Sequence, residues 1–147
     1  MADTTKKTNT SAFNAEERAA MKEHAAEVRR SQKSTPEEDR QAVLDKIAAM
    51  AAPDRVLAER IHAIVTEVAP ELAPRLWYGM PAYYRDGKNV VFFQDAAKFK
   101  ARYATLGFND AARLDEGSFW PTAYALTYEL TSADEKHIAE LIRKAAG

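Results

Sequence analysis

Nine residues, Leu76–Tyr84, read LWYGMPAYY and set Trp77, Tyr78, Tyr83 and Tyr84 around Gly-Met-Pro. Rings at this density either pack a buried sheet or wall a cleft, because each buries a large apolar area and keeps a stacking face. Phe92, from the apolar run that follows, and Trp120, from a later loop, join Trp77 and Tyr83 as a candidate ligand-binding cleft. Lys98, Lys100 and Arg102 alternate in KFKARY, which as a strand puts three cations on one face and Phe99, Ala101 and Tyr103 on the other. Arg102 is the best suited of the three to clamp a carboxylate or phosphate, since its guanidinium donates in a planar fork. An anionic small molecule held by rings and Arg102 fits this combination. A charge-guarded edge strand fits the same cations without any ligand.

Metal and acid–base chemistry have weaker footing. His24, His62 and His137 each have an acid three residues away, at Glu27, Glu59 and Glu140. Glu59-x-x-His62 matches one half of a di-iron bundle's ligand spacing, but that design needs a second copy and further carboxylates. A helical wheel turns both residues away from the apolar stripe of their helix. Glu37-Glu38-Asp39 suits a helix N-terminus, where the macrodipole favours negative charge. Asp115-Glu116 lies in a glycine-containing loop, and neither acidic group has the spacing of a calcium loop. The five glycines are too dispersed for a phosphate-binding loop, and EGSFW is no nucleophile elbow. No base stands beside a nucleophile, so no catalytic residue is assigned and a non-enzymatic protein is expected.

The elements that must position these residues change character near Leu76. Upstream, Asn14 and Glu17 have capping-box spacing for a first helix, whose apolar stripe is Met21, Ala25 and Val28. Thr35-Pro36-Glu37-Glu38 starts a second helix with Val43, Leu44, Ile47, Met50 and Ala51 on one face. Leu57, Ile61, Ile64, Val65 and Val68 repeat at helical spacing in a third. Downstream, Asp86-Gly87 between two β-prone runs predicts a hairpin. KFKARYATLGF and TAYALTYEL read as two more strands, and Ser132-Ala133-Asp134-Glu135 caps a last helix carrying Ile138, Leu141 and Ile142. The pattern predicts an α+β fold of two layers, helices on a mainly antiparallel sheet of four to five strands, with an extra N-terminal helix. The expected organisation is a disordered tail at 1–12, a helical extension at 13–33 and the α+β domain at 34–147.

A two-residue turn at Asp86-Gly87 pairs Arg85 with Lys88, Tyr83 with Val90 and Pro81 with Phe92. Tyr83, Val90 and Phe92 then share one face, and Tyr84, Val91 and Phe93 the other. Both faces are apolar, so the second needs a cover: the first helix, a second protomer or a ligand. The first helix is expected to supply it at least in part.

The chain holds 21 basic and 22 acidic residues, so its net charge of −1 gives no bulk attraction to nucleic acid. It has no cysteine, which excludes disulfides and thiolate sites and fits the cytoplasm. No apolar run is long enough for a membrane span, and MADTTKKTNT lacks the apolar centre of a secretory signal.

From about Asp39 to Ala146 the chain resembles the YdhG-like family of domains of unknown function, some members of which are labelled iron chaperones. WYGMPAYY, DGKNVVFF, YATLGFNDAARLDEG, FWPTAYAL and IAELIRKA carry the resemblance, in that order. It implies a compact α+β fold entered through Trp-Tyr-Gly-Met-Pro, and a cytoplasmic accessory domain that handles iron, weakly bound, with no ligand set assigned. The runner-up is a small-molecule binder using the cleft at Trp77, Tyr83, Phe92 and Trp120 with Arg102 on an anionic group. A third class, an interaction module acting through the first helix, self-associates and takes no ligand. The expected partner is a protein or a small molecule, and the expected state a monomer or weak homodimer.

Overall fold

The structure, a computed structural model, describes residues 14–147, so the tail expected over 1–12 lies outside the described residues. Three helices come first: α1 (Ala15–Ser31), α2 (Pro36–Ala48) and α3 (Ala52–Val68). Strands β1 (Ala73–Trp77), β2 (Met80–Arg85), β3 (Lys88–Gln94), β4 (Ala104–Phe108) and β5 (Ala123–Leu126) follow, and α4 (Ser132–Ala146) ends the chain. The strands form one antiparallel sheet in the order β1-β2-β3-β4-β5. The class is α+β, with an N-terminal helix ahead of the sheet. No described helix is long and apolar enough to cross a membrane.

Local chemistry sets most boundaries. Asn14 accepts the Glu17 N–H at 2.7 Å, and Thr35 accepts that of Glu38 at 3.2 Å. Pro53 sits in the first turn of α3, where its missing N–H costs nothing. The last helix is capped one residue earlier than its sequence predicts. Thr131 is the N-cap, in a reciprocal box with Asp134.

LWYGMPAYY is itself a hairpin. Tyr78 and Gly79, with φ of 51° and 74°, form the two-residue turn between Trp77 and Met80. Its first strand begins at Ala73, ahead of Pro74, because β1 is an edge strand and tolerates a missing donor.

The next hairpin departs from its expected register. Arg85 pairs with Lys88 and Tyr84 with Asn89, but a bulge then leaves Val90 unmatched. Tyr83 consequently faces Val91, and Ala82 faces Phe92. The extra residue rotates the strand so that Val90 and Val91 are both buried. Tyr83, Val91 and Phe93 therefore share a face with Leu106 and Phe108. Val43 and Ile47 of α2, Leu57, Ile61 and Val65 of α3, and Ile138 and Ile142 of α4 pack into the same core.

The other face carries Trp77, Ala82, Phe92, Gln94, Thr105 and Gly107. Phe92 lies across Gly107, where any Cβ would run into its ring. Towards β1, His24, Glu27 and Val28 of α1 form a cleft with Arg75 and Tyr84, so α1 covers part of this face. Towards β5, Ala123 and Ala125 are exposed.

Two elements differ from expectation. KFKARY is turn rather than strand, with Lys100 at φ 52°, and β4 begins only at Ala104. The stripe of α1 is not its buried face: Met21 is 49% and Val28 43% exposed, while Glu27 on the docked side is 7% exposed.

Candidate functional site

The face α1 presents to the rest of the protein carries three carboxylates. Glu16, Glu23 and Glu27 stand at i, i+7 and i+11, close to one line along the helix. Together they reach donors on α2, on the turn between β1 and β2 and on the turn after β3. Glu16 takes the Lys100 ammonium at 2.9 Å. Glu23 bridges two lysines, with Oε1 2.8 Å from Lys46 of α2 and Oε2 2.8 Å from Lys98. Glu27 accepts the Gly79 backbone N–H through Oε1, and its Oε2 lies 3.5 Å from Nδ1 of His24.

Two tight turns aim these donors. At the β1–β2 turn the left-handed conformation is easy for Gly79 and costly for a tyrosine. Tyr78 is held there by stacking on His24, with centroids 3.8 Å apart and planes 10° off parallel, and by the edge-on ring of Trp77 at 5.0 Å. The second turn follows β3. Buried Asp54, in the first turn of α3, accepts the N–H groups of Ala96 and Ala97 at 3.1 and 3.0 Å. That anchor presents Lys98, whose ammonium also reaches the Tyr78 carbonyl at 3.3 Å. Tyr78 and Lys100 are two of the three described non-glycine residues with positive φ, and both lie at this surface. Backbone strain of this kind gathers where a protein holds a site in shape. A side chain at Gly79 would collide with the Lys98 ammonium and the Glu23 carboxylate.

Burial alone would raise the Glu23 carboxyl, but hydrogen bonds from Lys46 and Lys98 outweigh it and hold the group below its ordinary range. The Lys100 hydrogen bond likewise lowers Glu16. Burial, reinforced by the Asp54 charge, raises the Asp95 carboxyl. Beside the Glu23 bridge a cleft of about 200 Å³ opens, lined by Lys46, Ala49, Met50, Gly79, Asp95 and Lys98. The arrangement can bind and neutralise carboxylates. Among the described residues, no three His, Cys, Asp or Glu side chains form a group that could hold a metal ion.

The five residues proposed from sequence as one ligand site do not share a cleft. Trp77 and Phe92 touch, with centroids 4.9 Å apart. Tyr83 is on the opposite face, fully buried, its hydroxyl 3.0 Å from Nδ1 of His62. Burial pushes that hydroxyl up, while burial and then the Arg40 charge hold His62 below its ordinary value. His62 thus turns inward, against the helical-wheel expectation, because Tyr83 supplies a buried partner. Trp120 lines a separate cleft of about 320 Å³ with Phe108, Asn109, Asp110, Asp115 and Thr122. Arg102 is exposed and lies over the Tyr103 ring at 5.2 Å. Of the proposed cation row, Lys98 and Lys100 meet carboxylates. Sequence reasoning missed Glu16, Glu23, Lys46 and Gly79, and read Glu27 only as the acid beside His24. The one signal available was the collinear spacing of the three acids.

Compared with known proteins, the chain matches no family model, no curated protein and no solved structure.

Proposed function

We propose that this chain is a non-enzymatic binding domain of the cytoplasm, and that its recognition chemistry is the capture of carboxylates at Lys46, Lys98, Lys100 and the Gly79 N–H. One observation carries the reading: the Glu23 carboxylate held between two ammonium groups at 2.8 Å each, beside an open cleft. Such charge-assisted hydrogen bonds are the strong ones, and donors fixed before the ligand arrives lose little entropy on binding. The anionic ligand of the runner-up reading is kept, while its residues move from Arg102 and the aromatic cleft to this surface. Iron handling rests on the YdhG-like resemblance.

The test is a titration of the full chain carrying Glu23→Ala with glutarate, followed through the Gly79 amide and the side-chain resonances of Lys46 and Lys98. Saturable shifts that disappear on adding Lys46→Met and Lys98→Met are expected. Absent shifts, or shifts indifferent to those two substitutions, overturn the reading. Ferrous iron added anaerobically is the parallel arm, and saturable changes confined to a few acids would move the function to metal.

A further inference from the structure

The geometry points to α1 as a tethered stand-in for another helix: the surface beneath it is a docking site for an acidic helix of a partner protein. The partner carries carboxylates at i, i+7 and i+11 and a flat ring at i+8. This rests on the carboxylate reading above and adds the partner and its control.

The footprint is specific to a helix. Glu16 to Glu23 and Glu23 to Glu27 rise by roughly 10 and 6 Å along a helix axis. The receiving groups, Lys100, the Lys46–Lys98 pair and the Gly79 N–H, are matched to those three positions in order. His24, the residue at i+8, stacks on Tyr78. A tyrosine, phenylalanine or tryptophan there would cover more of the Tyr78 ring than an imidazole does.

The resident helix is poorly suited to permanence. It docks by half-buried and exposed ion pairs, by the small His24 ring on Tyr78 and by burying the Glu27 carboxylate, whose desolvation offsets much of the gain. Apolar Met21, which would hold a helix down at any ionic strength, is exposed. Only Gln32–Thr35 separates α1 from α2, so the tether keeps α1 at high effective concentration. An incoming helix must therefore outbid α1 through the ring at i+8 or through weakened α1 contacts. That makes the domain self-covered until a better acidic helix arrives. A protein helix is favoured over nucleic acid because the third subsite is a single backbone N–H that meets a buried side-chain carboxylate, reached only by a slender arm.

The experiment uses the full chain with Glu16→Gln, Glu23→Gln and Glu27→Gln, and a fluorescein-labelled synthetic helix with the sequence of residues 14–33, read by fluorescence polarisation. The substituted chain is expected to bind this peptide at least about tenfold more tightly than the unaltered chain, whose own α1 competes. Replacing His24 by Trp in the peptide should tighten binding further, and Gln at its three glutamates should abolish it. Should the triple substitution disturb folding, Glu23→Gln alone must give the same order with a smaller gap. Equal binding to both chains, or no binding to the substituted one, overturns the inference. A substituted chain that still takes glutarate at Lys46 and Lys98 but ignores the peptide removes the partner and leaves the carboxylate reading standing. Loss of both removes both. Capture of a single-stranded oligonucleotide in place of the peptide also overturns it.

Discussion

The two faces of the sheet are held by opposite physics. Beneath α2, α3 and α4 the contacts are apolar and dry. Leu57, Ile61 and Val65 of α3 and Ile142 of α4 meet Tyr83, Val91, Phe93 and Leu106, all at 1% exposure or less. On the α1 side the helix is turned round, carboxylates inward and Met21 outward. Apolar burial is non-directional and nearly indifferent to salt, whereas paired charges at a surface are directional, screened and weak. On this contrast one face should make a body that opens by global unfolding, and the other a cover that leaves while the body stays folded.

The largest effect should come from the dry face. Phe93→Ala removes a fully buried ring and should cost about 3–5 kcal/mol in denaturant unfolding. Tyr83→Phe strips the hydrogen bond between the Tyr83 hydroxyl and Nδ1 of His62 and leaves that ring nitrogen without its partner, for about 1–2 kcal/mol. The sign of its pH dependence follows from His62, a base held below its ordinary 6.5 in the folded state. As pH falls through that ordinary value, the unfolded chain takes up a proton that the folded chain refuses. Stability should therefore drop on acidification in that window, and less so in His62→Gln.

On the α1 face, Gly79→Ala should act locally. The left-handed backbone opposes a side chain by about 1–2 kcal/mol, and the added methyl meets Lys98 and Glu23. Amides of α1 should then lose exchange protection while those of α3 keep theirs. Acid should do the same reversibly. Glu23 is depressed below its ordinary 4.5, so its contribution is complete above that value and is lost as pH falls through the lower, folded one. The smallest effect belongs to Lys100→Met, whose partner Glu16 is exposed; melting temperature should not move beyond experimental error.

The same contrast explains what could be read in advance. On the dry face, local pattern and tertiary burial agree: the spacing of Leu57, Ile61 and Val65 names the buried face of α3, and Asp86-Gly87 marks its hairpin. The Val90 bulge leaves no local trace, since either register buries valines and aromatics. Tyr78-Gly79 also escaped as a turn, because tyrosine at that position is strained and is held there by its neighbour Trp77 together with His24, far away in the chain. On the α1 face, local pattern and docking disagree. Met21, Ala25 and Val28 form an amphipathic stripe, yet the surface available to α1 is built of lysines drawn from α2 and the turn after β3. Lys98 and Lys100 were visible as two members of a cation row with Arg102, but their partners were in the same chain, 75 and 84 residues earlier.

Native-state amide hydrogen exchange of the full chain at low salt and at about 1 M salt, where the screening length is about 3 Å, separates a salt-labile cover from a salt-indifferent body. Protection of the α1 amides should fall at least about tenfold while that of the α3 amides around Ile61 is unchanged, since only surface ion pairs are screened. Parallel loss in both helices, or no loss in either, would contradict that contrast.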